Sequence, residues 1–94
     1  MPITPRNLAR HELIGLEGKV VKSSHKGYVG IKGLVVDETR NMLVFLSPEG
    51  RFKRVPKQVS TFRFKLPDGR LVEVEGWRIL GRPEDRVKKL GRRW

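Results

Sequence analysis

The segment SSHKGYVGIKGLVVDETRNMLVF, from Ser23 to Phe45, decides the fold. It is rich in residues that favour β-strands, yet it contains Gly27, Gly30 and Gly33. Glycine inside a strand costs backbone entropy and packs nothing against a neighbour, so three glycines need a structural reason. A long strand that belongs to both sides of a small barrel must bend, and Gly30 and Gly33 permit this bend and the close approach of a neighbouring backbone. The alternative is that Gly27 lies in a loop and the other two lie on an edge.

The residues around this segment predict further short strands joined by tight turns. The expected strands are at 16–22, 28–38, 42–47, 51–55, 61–66 and 70–76. The turns PEG (48–50) and PDG (67–69) combine a proline that presets φ with a glycine that accepts positive φ. WRILG (77–81) continues the sixth strand or forms a last short one. Short connections favour antiparallel neighbours, and a small curled barrel leaves fewer open edges than a flat sheet.

Both ends of the chain have helical signals. Thr4 and Pro5 suit a helix start, and Pro83 is placed as a first helical residue, with Gly91 just past the end. The sequence therefore predicts one mainly β domain over residues 1–94. It comprises an N-terminal helical arm (1–15), an antiparallel barrel of five to six strands (16–80) and a short C-terminal helix (81–94).

Charge gives the first indication of function. The 94 residues include 21 Lys and Arg against 10 Asp and Glu, a net charge of +11. A domain this basic favours a polyanionic partner, and nucleic acid is the first candidate. No apolar run approaches the roughly 20 residues of a membrane span, and no long basic amphipathic helix suggests a membrane surface. The absence of cysteine and of a signal peptide predicts a cytoplasmic protein without disulfides or a cysteine metal site.

Basic and small polar residues cluster on the predicted strands and loops. Phosphate contact needs cations and small donors on a pre-positioned backbone. The alternative, a merely solvated strand face, would normally mix the two signs of charge. The candidate RNA-binding residues are Lys22, Ser23, His25, Lys26, Arg51, Lys53, Arg54, Lys57, Arg63 and Lys65.

Catalytic chemistry is poorly supported. His11 and His25 are the two histidines, and nothing in their positions brings them together or orients either with a carboxylate. Two histidines without cysteine cannot build a structural zinc site. We therefore expect no catalytic residue, no metal site and no cofactor held by this chain.

Aromatic side chains offer a second mode of nucleic-acid contact, by stacking on unpaired bases. Phe62 and Phe64 share one face of an alternating strand and are expected in the core. Tyr28, Trp77 and Trp94 are better surface candidates.

The sequence resembles the archaeal ribonuclease P protein component 1 family. The similarity covers nearly the whole chain and is most specific in ELIGLEGKVVKSSHKGYVGIKGLVVDETRNML (12–43), followed by RFKLPDG (63–69) and GWRILGRPEDR (76–86). The resemblance implies an Sm-like or SH3-like antiparallel barrel flanked by terminal helices. It also implies a place in the ribonucleoprotein that removes the 5′ leader from precursor tRNA, which this chain would contact only indirectly. In that family the ribonuclease P RNA is catalytic and carries Mg²⁺, and this protein pairs with a zinc-ribbon subunit, component 4.

The apolar residues of the N-terminal arm have two interpretations. Leu8, Leu13 and Ile14 either cap the barrel or face a partner, and the resemblance favours the partner, the zinc-ribbon subunit. Two other functions share the charge pattern: a structural ribosomal protein with a small basic barrel, and a free-standing nuclease.

Overall fold

The computed structural model describes residues 12–82 and Asp85, and six strands form one antiparallel sheet in the order β4-β3-β2-β1-β5-β6. Single 3-10 turns follow β1 and β6, at Lys26–Tyr28 and Gly76–Ile79. The mainly β class and the strand count are therefore as the sequence predicts. The strands are β1 (Glu17–Ser23), β2 (Lys32–Glu38), β3 (Met42–Leu46), β4 (Phe52–Pro56), β5 (Ser60–Lys65) and β6 (Leu71–Glu75).

The sheet is rolled around its core. Phe45 of β3 and Phe62 of β5 stack with ring centroids 6.0 Å apart, although β2 and β1 lie between their strands in the sheet. In a flat sheet, three strand steps of about 4.8 Å would separate them by about 14 Å. Only a curled sheet brings these two rings into contact, as the barrel prediction requires.

One apolar cluster fills the interior. It draws on β1, β2, β3, β4 and β5, on the residues that lead into β1, on the residue that follows β5 and on the second 3-10 turn. The predicted inward face of β5 is confirmed, and Val72 and Val74 of β6 pack against the cluster. Its buried members are Leu13, Leu16, Val20, Val35, Leu43, Phe45, Val55, Phe62, Phe64, Leu66 and Ile79.

The glycine-rich segment contains a turn and a tight crossing. β2 begins at Lys32 rather than at residue 28, and Gly30 lies in the turn before it with φ of +93°. Gly33 lies inside β2 with φ of +154°, and a Cβ there would collide with the carbonyl group of Leu46 on β3. The predicted close approach of a neighbouring backbone is therefore confirmed at Gly33, whereas Gly30 serves the turn. The strand also carries an irregularity in its register between Val35 and Asp37.

Both predicted turns form. The Gly50 N–H donates to the Ser47 carbonyl at 2.9 Å, and the Gly69 N–H donates to the Leu66 carbonyl at 2.9 Å. In the second turn, the Arg70 backbone N–H donates to Asp68 Oδ1. This hydrogen bond, with smaller contributions from the Arg70 side chain, holds the pKa of the Asp68 carboxyl below its usual value.

The end of the barrel differs from the strand expected at residues 77–81. Residues Gly76–Ile79 form a 3-10 turn, and Ile79 is fully buried. A short turn lets Ile79 reach the core directly after β6. The predicted terminal helices fall largely on residues 1–11, 83–84 and 86–94, which lie outside the described residues. Within the described part of the chain, no helix is long and apolar enough to cross a membrane.

Candidate nucleic-acid interface

Three cations stand in a row across the middle of the sheet. Lys19 of β1 is the register partner of Lys32 on β2 and, on its other side, of Arg63 on β5. Gly18 and Val20 point inward from β1 and are buried, so Lys19 points outward and is exposed. Alternation along the three strands thus presents a cationic row to solvent.

This row borders a groove of about 560 Å³. Lys65 extends the cationic border, and Glu17 is the carboxylate that lines the groove. Gly18 and Gly33 add no side chains to it. The floor is formed by apolar side chains from three strands and the β3–β4 turn, namely Leu34, Leu46, Pro48 and Leu71.

A second groove of about 410 Å³ shares Lys32 and Pro48 with the first. Arg51, which directly precedes β4, and Lys53 of β4 line it together with Glu49. The two grooves therefore form one continuous surface, which we call the cationic face. Its cations are Lys19, Lys32, Arg51, Lys53, Arg63 and Lys65.

Carboxylates compensate only part of the charge of the cationic face, because Glu17 and Glu49 line its grooves beside six cations. Arg63 pairs with Glu73 at 3.1 Å, and both side chains are about half exposed, at 42% and 51%. A surface ion pair of this kind contributes little to stability, so it can yield to a phosphate. Like charges directly opposite one another on neighbouring strands, as at Lys19 and Lys32, destabilise a free sheet. A bound polyanion would relieve that repulsion.

Two other predicted residues lie at the far end of β1. Lys22 and Ser23 line a separate groove of about 210 Å³ with Trp77, which we call the Trp77 groove. His25 and Lys26 are exposed in and beside the first 3-10 turn. These four residues share no groove with the cationic face.

Arg54 also lies apart from the cationic face. It pairs with Val44 in the β3–β4 ladder and borders a hollow lined by Val36, Met42 and Phe52. Phe52 is 69% exposed there. Of the ten predicted RNA-binding residues, the structure brings together Arg51, Lys53, Arg63 and Lys65.

Lys57 corrects the sequence prediction. Its side chain is fully buried, and its Nζ donates to Glu38 Oε2 at 2.6 Å, to the Thr39 carbonyl at 2.8 Å and to the Gly81 carbonyl at 2.9 Å. An ammonium group enclosed in this way cannot reach a phosphate. Lys57 is therefore a structural residue, and its assignment to RNA contact is wrong.

Leu13 is a second correction. It is fully buried in the core cluster rather than turned toward a partner, because the chain crosses β2 there, with the Gly15 N–H donating to the Val35 carbonyl. Ile14 is 39% exposed and remains available for contact. Leu8 lies outside the described residues.

Sequence reasoning missed Lys19 and Lys32. Each lies outward on its strand, at the same level as Arg63, and period-two alternation identifies both as surface residues. Their juxtaposition depends on the β1–β2 and β1–β5 registers, which local patterns do not supply.

Metal-ligating side chains are dispersed over the described part of the chain. Within residues 12–82, no three His, Asp or Glu side chains lie together in a way that could hold a metal ion. His25 is exposed, with its ring edge-on to Tyr28 at 6.0 Å between centroids.

Comparison with known proteins agrees with this picture of a basic barrel. Residues 6–89 match the family described as Ribonuclease P/MRP, subunit p29. The chain is 51% identical to Ribonuclease P protein component 1 of Pyrococcus abyssi over 92 residues, covering 98% of this chain and 71% of the relative. It is 49% identical to the protein of the same name from Thermofilum pendens, with both chains covered completely.

A solved structure supports the same relationship. It is described as Mth11, a homologue of the human RNase P protein Rpp29, and it superposes with a TM-score of 0.60 at 47% identity. The match covers 82% of this chain and 99% of that one. The chain therefore belongs to the Ribonuclease P/MRP subunit p29 family, whose archaeal relatives bear the name Ribonuclease P protein component 1.

Proposed function

We propose that this chain is an RNA-binding protein subunit of ribonuclease P, the ribonucleoprotein that removes the 5′ leader from precursor tRNA. Its family membership supports the assignment to that particle. The observation that carries the mode of action is the row of Lys32, Lys19 and Arg63 across three adjacent strands.

The cationic face acts by neutralising phosphates. Strands fix the backbone positions of five of the six cations, and Arg51 directly precedes β4. The long side chains are ordered when they bind, so the rigid part of the site is its backbone. Ammonium and guanidinium groups at this spacing contact backbone phosphates without reading a base sequence. Folded RNA is recognised largely through its shape and its phosphates, which this surface suits.

The remaining partners follow from the same proposal. The ribonuclease P RNA carries the Mg²⁺ and performs the cleavage, while the protein screens repulsion between phosphates of the folded RNA. The zinc-ribbon subunit, component 4, binds beside the N-terminal arm, where Ile14 is exposed. Contact with precursor tRNA is indirect, and the particle works in the cytoplasm.

Single-turnover cleavage of precursor tRNA at several Mg²⁺ concentrations tests this proposal. The cognate ribonuclease P RNA and the zinc-ribbon subunit are assembled with the wild type or with a Lys19→Ala, Lys32→Ala, Arg63→Ala triple variant. The wild type should lower the Mg²⁺ needed for cleavage, because its cations share the screening otherwise done by the metal. The triple variant should restore much of the higher Mg²⁺ requirement.

His25→Ala serves as the matched control for a catalytic role. It should leave the cleavage rate nearly unchanged, since His25 has no acid–base partner in the described structure. Cleavage by the chain without any RNA subunit would contradict the proposal. So would a loss of about a hundredfold in rate for a fully assembled His25→Ala particle, the scale of general acid–base catalysis.

A further inference from the structure

The Trp77 groove lies at the opposite end of β1 from the groove that Lys19 borders. Lys22 of β1, Thr61 of β5 and Glu75 of β6 are successive register partners across three strands, so their side chains share one face. Trp77 follows β6 and lines the groove. At about 210 Å³ the groove suits a single base, with its sugar and phosphate at the rim, rather than a double helix.

Trp77 presents a large aromatic surface to this groove. Its side chain is 57% exposed, although an indole ring on a small domain usually buries most of its area. The indole Nε1–H donates to Glu75 Oε2 at 2.8 Å, which fixes the ring and satisfies its polar atom. The guanidinium Cζ of Arg78 lies 5.7 Å from the ring centroid. The ring is thus held in place while much of it remains in solvent.

The groove also carries the polar groups that a nucleotide requires. Lys22 supplies a cation, and Ser24, Gln58 and Thr61 supply hydroxyl and amide groups. The Ser23 and Ser60 hydroxyls bond to each other at 3.2 Å, and the Ser24 N–H donates to the Val59 carbonyl at 2.9 Å. These bonds tie the β1 end to the segment before β5, so the groove is built on a fixed backbone.

The distance to the cationic face suits a single RNA molecule. Lys19 and Lys22 are three residues apart along β1, about 10 Å at the usual rise of a strand. A phosphate backbone that lies across Lys19 could therefore continue to Lys22 within one or two nucleotides.

We infer that the Trp77 groove binds one unpaired nucleotide of the RNA, with its base stacked on Trp77 and its phosphate near Lys22. This inference rests on the proposed function, because it assigns a second contact to the same RNA. Stacking tolerates any base, since every base has a π-face. The cationic face then binds the phosphates of a base-paired segment of the RNA. The Trp77 groove favours RNA that has an unpaired nucleotide next to that segment.

Two RNA probes test the inference: a fully paired hairpin, and the same hairpin with one unpaired adenosine in its stem. Trp94→Phe leaves Trp77 as the one tryptophan of the chain, so intrinsic fluorescence reports on the groove directly. The fluorescence should be quenched by the hairpin with the unpaired adenosine and change little with the paired hairpin. This readout needs no change at Trp77, so a loss of signal cannot come from removal of the ring itself.

Affinity provides the second measurement. Trp77→Leu should weaken binding to the hairpin with the unpaired adenosine by at least about fivefold, as expected for loss of one stacking contact, and leave the paired hairpin unaffected. Phe52→Leu is the matched control, because it removes an exposed aromatic ring that lines neither the cationic face nor the Trp77 groove.

The outcomes separate the two proposals. Unquenched Trp77 fluorescence, or equal affinity of wild type and Trp77→Leu for both hairpins, would overturn the inference while leaving RNA binding by the cationic face intact. Failure of the wild type to bind either hairpin would overturn the proposed function and the inference with it.

Discussion

The ammonium group of Lys57 lies 2.6 Å from Oε2 of Glu38, and both side chains are completely buried. The same ammonium bonds the backbone carbonyls of Thr39, in the β2–β3 turn, and of Gly81, beyond the second 3-10 turn. Three segments distant in sequence therefore meet at one cation. The hydrogen bond to Gly81 ties the segment after the second 3-10 turn to the sheet.

Lys57→Met should lower the free energy of unfolding by about 3–5 kcal/mol, because it leaves the buried Glu38 carboxylate without the Lys57 ammonium. Urea denaturation of the two proteins measures the difference. The double variant Lys57→Met, Glu38→Leu should recover part of the loss, since an apolar pair replaces the ion pair, while the Thr39 and Gly81 carbonyls still lose the donor that Lys57 supplies. A single variant as stable as the wild type would show that the pair is not needed for the fold.

Gly33→Ala should destabilise the barrel by at least about 1–3 kcal/mol, the range for overpacking a tight site. The added Cβ meets the Leu46 carbonyl of β3, and the backbone at Gly33 has a φ of +154°, which disfavours a side chain. Thermal unfolding by circular dichroism measures the loss. Gly27→Ala is the matched control, because nothing lies within 4 Å of a Cβ there. Equal melting of the two variants would mean that β2 and β3 can move apart without cost.

Leu13 and Ile14 should respond differently to the same change. Leu13→Asp places a carboxylate in the apolar core and should unfold the domain or nearly so, because an unpaired buried charge costs several kcal/mol. Ile14→Asp should leave the melting temperature almost unchanged, since Ile14 is 39% exposed.

Co-purification with the zinc-ribbon subunit completes that comparison. Ile14→Asp should weaken the association while the protein remains folded and keeps its RNA affinity. Association as strong as that of the wild type would show that Ile14 does not contact the zinc-ribbon subunit.

Local sequence patterns predict the strands and turns well, because each depends on near neighbours. The alternation of Phe62 and Phe64 with Arg63 identifies the inner face of β5, and the PEG and PDG turns appear where proline and glycine place them. Gly33 is also explained from sequence, since a glycine inside a strand predicts close approach of another backbone. The start of β2 is misplaced, because the residues from Tyr28 to Ile31 have strand-like composition but precede the strand, which begins at Lys32.

The candidate site is harder to predict because it depends on register. Lys19 and Lys32 are ordinary surface lysines in the sequence, and they become part of a site only when β1 pairs with β2 and β5. For Lys57 the error is the reverse, because a buried lysine is predicted to lie on the surface. Its partner, Glu38, is nineteen residues away in sequence, so the local charge pattern gives no sign of the pair. Burial of a charged residue is decided by tertiary pairing, which a local pattern does not contain.

The central claim is that Lys19, Lys32 and Arg63 contact RNA phosphates, and the salt dependence of binding tests it most directly. The affinity of the chain for a folded ribonuclease P RNA is measured over a range of salt concentrations. For wild type, the logarithm of affinity should fall steeply with the logarithm of salt, by roughly 0.7–0.9 for each phosphate neutralised. The control variant removes the same charge from Arg40, Arg70 and Arg82, three exposed arginines that line neither groove of the cationic face.

The Lys19→Ala, Lys32→Ala, Arg63→Ala variant should flatten the slope by about 2–3, one phosphate contact for each cation removed, while the control variant should keep nearly the wild-type slope. An unchanged slope in the first variant, or an equal flattening in both, would contradict the account, because RNA binding would then follow net charge rather than the cationic face.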